Sequence, residues 1–199
     1  MVYKKVLMKR TSLLFVLVLA LFAGCKKEVE EVEKIFSFDI SNSKTFTAPK
    51  DDINAAYDLQ LLFPDFTMPL PVTGVSSSAE ADFQKNGTTT NLVKNIVPKE
   101  LILTLPDNSP ETFSFLEKMD VMIASDSTGY DAVLLAYNNN IPSTIERRLV
   151  FTPTTNTMDK FVKSGKYHLI LNNVKLRRAV VSDLFITASM TFGVTASPL

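Results

Sequence analysis

Two carboxylates held close together can share acid and base work on a glycosidic bond without help from histidine. This 199-residue chain, with its single histidine, has that chemistry open to it. The candidates are Asp82, Asp107, Glu111, Glu117, Asp120, Asp126, Asp131 and Asp183. Their spacing selects no pair, and each falls in a turn or on the polar side of a strand, where a solvated charge is the ordinary outcome. His168 lies between Tyr167 and Leu169 in a strand-like segment and reads as a sheet histidine rather than a catalytic base. Metal sites built from His and Cys need several such ligands, whereas this chain has one of each. Asp126, Ser127, Thr128 and Asp131 offer oxygens to calcium, without the dense acid spacing of a dedicated loop. With only 6 glycines, the chain shows no phosphate-cradling loop and no serine nucleophile elbow. The residues call for no catalytic centre, cofactor or metal, and a carboxylate-dependent, glycan-directed hydrolase is kept only as the alternative.

Recognition by stacking is the other chemistry to weigh, because sugar faces pack on exposed aromatic rings. The chain has no Trp, and among its 14 Phe the residues Phe36, Phe38, Phe63, Phe185 and Phe192 read as core from their alternation. Tyr57, Tyr130, Tyr137 and Tyr167 remain beyond residue 25. Tyr130, beside Gly129 in a turn, is the expected exposed platform, and Asn139, within the loop Asn138–Asn140, is a second expected contact.

The only cysteine, Cys25, stands at the end of an ordered N-terminal pattern. Lys4, Lys5, Lys9 and Arg10 precede an unbroken apolar run from Leu13 to Ala23, too short for a membrane-spanning helix, which needs about 20 residues. The run matches the core of a secretory signal, and Leu21-Phe22-Ala23-Gly24-Cys25 places two small residues immediately before the cysteine. This ending resembles the lipobox of bacterial lipoproteins, with Phe22 bulkier than the usual residue. The resemblance implies cleavage after residue 24 and lipidation of Cys25. Each buried methylene of the lipid then contributes about 0.8 kcal/mol, and two chains already suffice for stable anchoring. Lys26 to Lys34 form a charged tether that reaches about 30 Å when extended. A basic residue followed by acids just after the cysteine resembles, imperfectly, the surface-export signal of Bacteroidetes-type lipoproteins, since Val29 interrupts the acidic run. The outer membrane is the expected location, with the domain on its periplasmic or cell-surface face. Taking the four basic residues before Cys25 from the total of 21 leaves 17 against 21 acidic ones. That balance argues against nucleic acid, whose phosphates need clustered Lys and Arg.

These residues must be positioned by strands, because beyond Ile35 the apolar pattern has period two far more often than 3.6. Alternation marks strands at Phe36–Ile40, Tyr57–Phe63, Ala79–Gln84, Lys99–Pro106, Met119–Ser125, Asp131–Tyr137, Arg147–Thr152, Tyr167–Val174 and Leu184–Thr195. Turn residues separate them at Pro106-Asp107-Asn108, Asp126-Ser127-Thr128-Gly129 and Asn138-Asn139-Asn140. Asn91–Asn95 and Met158–Lys163 read as single helical turns, and the Pro-rich stretch Pro64–Pro71 reads as an edge segment or connector, since proline cannot donate to a ladder. About nine strands, with one or two helical turns, predict an all-β fold. The expected form is an antiparallel β-sandwich of two sheets, in the Ig-like or fibronectin-like class. The expected organisation is a signal over residues 1–24, the lipidated cysteine and tether over 25–34, and one domain over 35–199.

The order of segments Pro64–Pro71, Asn91-Leu92-Val93-Lys94, Lys99–Pro106, Phe113-Ser114-Phe115-Leu116-Glu117-Lys118-Met119 and Asn140-Ile141-Pro142 resembles uncharacterised β-sandwich lipoproteins of Bacteroidetes-type bacteria. The resemblance implies fold and envelope location, and the family carries no assigned activity. The functional expectation is a non-enzymatic, membrane-anchored binding or assembly component. It would act through its loops or an edge strand on a protein or glycan partner.

Overall fold

The computed structural model describes residues 37–196, so the signal, Cys25, the tether and Phe36 lie outside the described residues. Among the described residues are eight strands: β1 Ser37–Ala48, β2 Met68–Ser76, β3 Val93–Thr104, β4 Leu116–Ala124, β5 Val133–Asn138, β6 Arg148–Pro153, β7 Lys166–Leu176 and β8 Leu184–Ala196. Three helices join them, α1 Lys50–Leu62, α2 Ala79–Lys85 and α3 Asp159–Lys163, together with a 3₁₀ turn at Phe113–Phe115. The all-β expectation holds. The strands form a single antiparallel sheet in the order β1-β8-β3-β6-β5-β4-β7-β2, which curls until its two edges come close. Its thinnest join is between β5 and β6, where only Ala136–Pro153 and Tyr137–Thr152 pair.

The pairing is nested: β1 with β8, β2 with β7, β3 with β6, and β4 with β5. One long antiparallel hairpin wound on itself gives this order, which is that of a jelly roll. The alternating pattern explains it locally. Along β8, Leu184, Ile186, Ala188, Met190, Phe192 and Val194 are buried, and on β3 so are Leu101 and Leu103, while the intervening residues face outward. On the outer face three hydroxyl pairs, Ser41–Thr191, Ser43–Ser189 and Thr45–Thr187, bridge β1 and β8.

Two segments read as strands are helices. Tyr57–Phe63 belongs to α1, whose buried face is Ile53, Ala56 and Gln60 at helical spacing. The alternation of Leu59, Leu61 and Phe63 marks residues that the helix leaves exposed, so Phe63 is not core. Ala79–Gln84 is α2, burying Ala79 and Phe83 four residues apart and stopping at Asn86 and Gly87, whose positive φ ends the helix. In turn the Pro-rich stretch runs into β2, which occupies a sheet edge as its prolines require. Met158–Lys163 supplies α3, with Met158, Phe161 and Val162 buried, but Asn91–Asn95 is a turn that passes into β3.

Helix α1 docks through side-chain amides that act as backbone. Gln60 donates to the Val174 carbonyl at 2.6 Å and accepts from the Leu176 amide at 2.9 Å, completing β7 where β2 has ended. Asn54 makes the same reciprocal pair with Val180, donating to its carbonyl at 3.0 Å and accepting from its amide at 2.8 Å. Gln60 is buried, and a buried backbone group left unpaired costs about 1–3 kcal/mol. Gln60→Ala is therefore expected to lower unfolding stability by about 2–4 kcal/mol, since it orphans two such groups. A urea titration should show a lower midpoint at unchanged slope, and an unchanged midpoint would show that α1 is not held this way.

Candidate functional site

Antiparallel winding sorts the loops into two sets. At the end where β1 begins lie α2, α3 and the loop between β4 and β5. At the far end lie α1, the β3–β4 connection, the β5–β6 connection and the β7–β8 connection. Tyr130 sits in the first set and Asn139 in the second, so the two expected contact residues belong to opposite ends and form no common site.

Tyr130 is 97% exposed. Its loop is stiffened from within: Asp126 Oδ1 accepts from the Thr128 amide at 2.8 Å and from the Thr128 hydroxyl at 2.5 Å. Asp131 accepts from the Ser125 amide at 2.9 Å and hydroxyl at 2.6 Å, and pairs with the Lys160 ammonium. One oxygen of Asp126 and both of Asp131 are thus engaged with hydrogen-bond donors, and a cation already stands against Asp131. Hydrogen bonding by Lys160, then by Ser125, holds the Asp131 carboxyl well below the usual carboxylate range, and Thr128 lowers that of Asp126. Glu80 is also lowered, by Thr90 and Gln84. A glycosidase acid needs the opposite shift, a carboxyl held protonated near neutral pH. The remaining candidates are tied up locally. Asp82 accepts from Ser78, Glu117 pairs with Lys175 at 3.3 Å, Asp120 accepts from Asn173, Asp183 accepts from the Lys50 amide and Glu111 binds Arg178. Asp107 lies in the exposed turn after β3. Among the described residues no three His, Cys, Asp or Glu side chains converge as a metal site would require. His168 stands on β7 against Gly74 of β2, where a Cβ would come within 3.1 Å of its ring. It is a sheet histidine.

The far end holds a cleft of about 380 Å³ lined by Pro106, Asn108, Ser109, Pro110, Ser182, Asp183 and Phe185. Two loops form it, and a buried carboxylate joins them. Glu111, 1% exposed, takes Arg178 at 2.8 Å on Oε2 and the Val181 amide at 2.6 Å on Oε1. Arg147 closes the first loop from beneath by donating Nε and Nη2 to the Ser109 carbonyl at 3.3 and 2.9 Å. Arg177 ties the second to the Leu116 and Ile141 carbonyls. Asp183 is fixed as well. The residue before α1 is Pro49, which provides no side-chain cap, and Asp183 Oδ1 accepts the first helical amide, that of Lys50, at 2.8 Å. Ser182 Oγ is buried and has no partner among the described residues. Phe185 is 55% exposed, which corrects its reading as core.

A second cleft of similar size, at the other end, contains Phe38, Asp39 and Lys99. The Lys99 stem crosses Gly193 and its ammonium meets Asp39 at 2.5 Å, so the polar groups there satisfy one another. Beneath α1 a small cavity of about 20 Å³ is walled by apolar residues, including Ile53, Phe113 and Leu176. It offers a polar ligand nothing.

Comparison with known proteins adds little. No protein-family model and no curated protein matches the chain. Among solved structures it is similar to a chain described as Desmodium yellow mottle tymovirus, at 13% identity over 82% of this chain and 84% of that one, with a TM-score of 0.23. It is also similar to one described as nora virus structure, at 10% identity over 82% of this chain and 61% of that one, with a TM-score of 0.29. At these scores the likenesses carry no functional argument.

Two expectations follow from these loops. Glu111→Ala should release both walls of the far cleft, lowering stability by about 2–3 kcal/mol because a charged, hydrogen-bonded group is lost from a buried position. Hydrogen exchange at residues 106–110 and 177–183 should quicken together, whereas quickening confined to one loop would mean that Glu111 does not link them. Asp131, whose folded pKa is depressed, contributes stability that is present above the ordinary carboxylate range and lost only as pH falls through its lowered value. An NMR titration should find its midpoint below that of a model Asp, and Lys160→Ala should move it upward.

Proposed function

We propose that the chain is a lipid-anchored envelope protein, attached through Cys25, whose domain is a non-enzymatic binding module presenting its far loops to a partner. The observation supporting this most directly is the polarity of β1. Its twelve residues, Ser37–Ala48, run about 40 Å from one end of the domain to the other. A tether entering at Ser37 therefore meets the end bearing α2, α3 and Tyr130, and the cleft between Pro106 and Phe185 lies at the opposite end. Anchored this way in the outer membrane, the domain carries the cleft between Pro106 and Phe185 away from the lipid. The rigid mounting of that cleft suits recognition, because loops fixed by buried bonds lose little freedom on binding.

Fractionation of cells producing the wild type and Cys25→Ala tests the anchor. The wild type should sediment with the outer membrane and the variant should be released as a soluble, folded protein. Attachment that persists in the variant would refute lipid anchoring. Protease treatment of intact cells, with a periplasmic marker as control, then assigns the face on which the domain stands.

A further inference from the structure

We propose that the far cleft binds a neutral sugar residue, stacked on Phe185 and held by Asn108 and Asp183. This rests on the binding-module reading above and gives its site a ligand class.

The aromatic comes first. Phe185 stands on the outward row of β8, where the following members are Thr187, Ser189, Thr191, Gly193 and Thr195. A phenyl ring on this otherwise polar row is left 55% exposed, and it forms one wall of a concavity of ligand size. An apolar ring face of this kind suits the C–H face of a pyranose.

The polar groups of the cleft suit hydroxyls. Asp183 Oδ1 is committed to the Lys50 amide, which fixes the carboxylate and leaves Oδ2 to accept from a ligand. Asn108 adds an amide that can both donate and accept.

Charge narrows the ligand further. The carboxylate of Asp183 disfavours phosphate and acidic sugars. The nearby guanidinium groups are already committed as donors within the protein, Arg147 to the Ser109 carbonyl and Arg178 to Glu111. Pro106 and Pro110 at the mouth restrict the backbone and remove two amide donors, which an extended peptide would need for strand-like pairing. A neutral polyol fits these constraints better than an anion or a peptide strand.

The test uses the full-length chain purified in detergent, with saturation-transfer NMR against glucose, galactose, mannose and N-acetylglucosamine and their short oligomers. At least one should receive saturation on its ring protons. Phe185→Ala should weaken that ligand by about tenfold, the scale of one aromatic contact. Asn108→Ala and Asp183→Asn should each weaken it as well. The asparagine retains an acceptor for the Lys50 amide, so folding is preserved, and thermal melts of all variants check this. Tyr130→Ala, at the other end, should bind as the wild type does. No transfer to any sugar, transfer indifferent to Phe185→Ala, or binding only to peptides or sulfated and phosphorylated glycans would each overturn the proposal. Because the measurement is made in detergent, such a failure leaves the lipid anchor standing, and a failure of the anchor leaves sugar binding unaffected.

Discussion

Everything in this domain hangs on β8. It is the last strand to leave the chain and is paired on both sides, to β1 from Ser37–Thr195 through Ala48–Leu184 and to β3 from Val93–Ala196 through Thr104–Thr187. Its inward row fills the core and its outward row is almost wholly hydroxyl and glycine. A slip of one residue would exchange the two rows and put Ile186, Met190 and Phe192 in water. Register is thereby fixed for both neighbours. With β1 and β3 fixed, the nested pairs β2–β7, β3–β6 and β4–β5 have one consistent arrangement. Because the first and last strands must meet before the sheet can curl, the fold depends on contacts distant in sequence, which makes its formation slow for its size.

The strands were legible because burial on one face leaves a period that needs no knowledge of partners. Leu101 and Leu103, followed by Leu105, and the whole of β8 can be read directly. Helix α1 was obscured by an amide. In α1 the buried row is Ile53, Ala56 and Gln60, and a polar residue in that row hides the helical period, while exposed Leu59, Leu61 and Phe63 imitate a strand face. Gln60 is buried because it substitutes for a missing strand beside β7, a fact of tertiary structure with no local trace. The cleft was hidden for a different reason. Phe185 and Phe192 are seven residues apart on one strand and so cannot share a face, and the polar row Thr187, Ser189, Thr191 marks which of them lies outside. That signal was present in the sequence, although nothing local tells that the loop carrying Asn108 folds beside it.

Side chains that act in place of backbone recur at the far end. Gln60 and Asn54 complete peptide groups of β7 and of the connection after it, Asp183 caps α1 in place of Pro49, and Glu111 receives an amide from Val181. In each case an irregular connection has buried a peptide group that a sheet ladder or helix would ordinarily satisfy. At the β1 end Asp159 of α3 likewise accepts the Ile96 amide at 2.5 Å, but the β4–β5 loop is bonded mostly within itself by Asp126 and Asp131. Its side-chain link to another element is the exposed pair between Asp131 and Lys160 of α3. The far end is instead one linked unit, in which α1, the β3–β4 connection and the β7–β8 connection hold one another.

This difference bears on where recognition can be built. A concave site assembled from several loops keeps its shape only if the loops cannot move independently, and a buried carboxylate such as Glu111 enforces that because separating the walls would leave its charge without partners. The same bonds engage the guanidinium groups of Arg147 and Arg178, so the donors that an anion would need are already committed within the protein. What remains on the surface is a phenyl ring, a carboxylate oxygen and a side-chain amide. The network that makes the cleft rigid thus also selects its chemistry, and the two properties cannot be changed separately by altering Glu111 or Arg178.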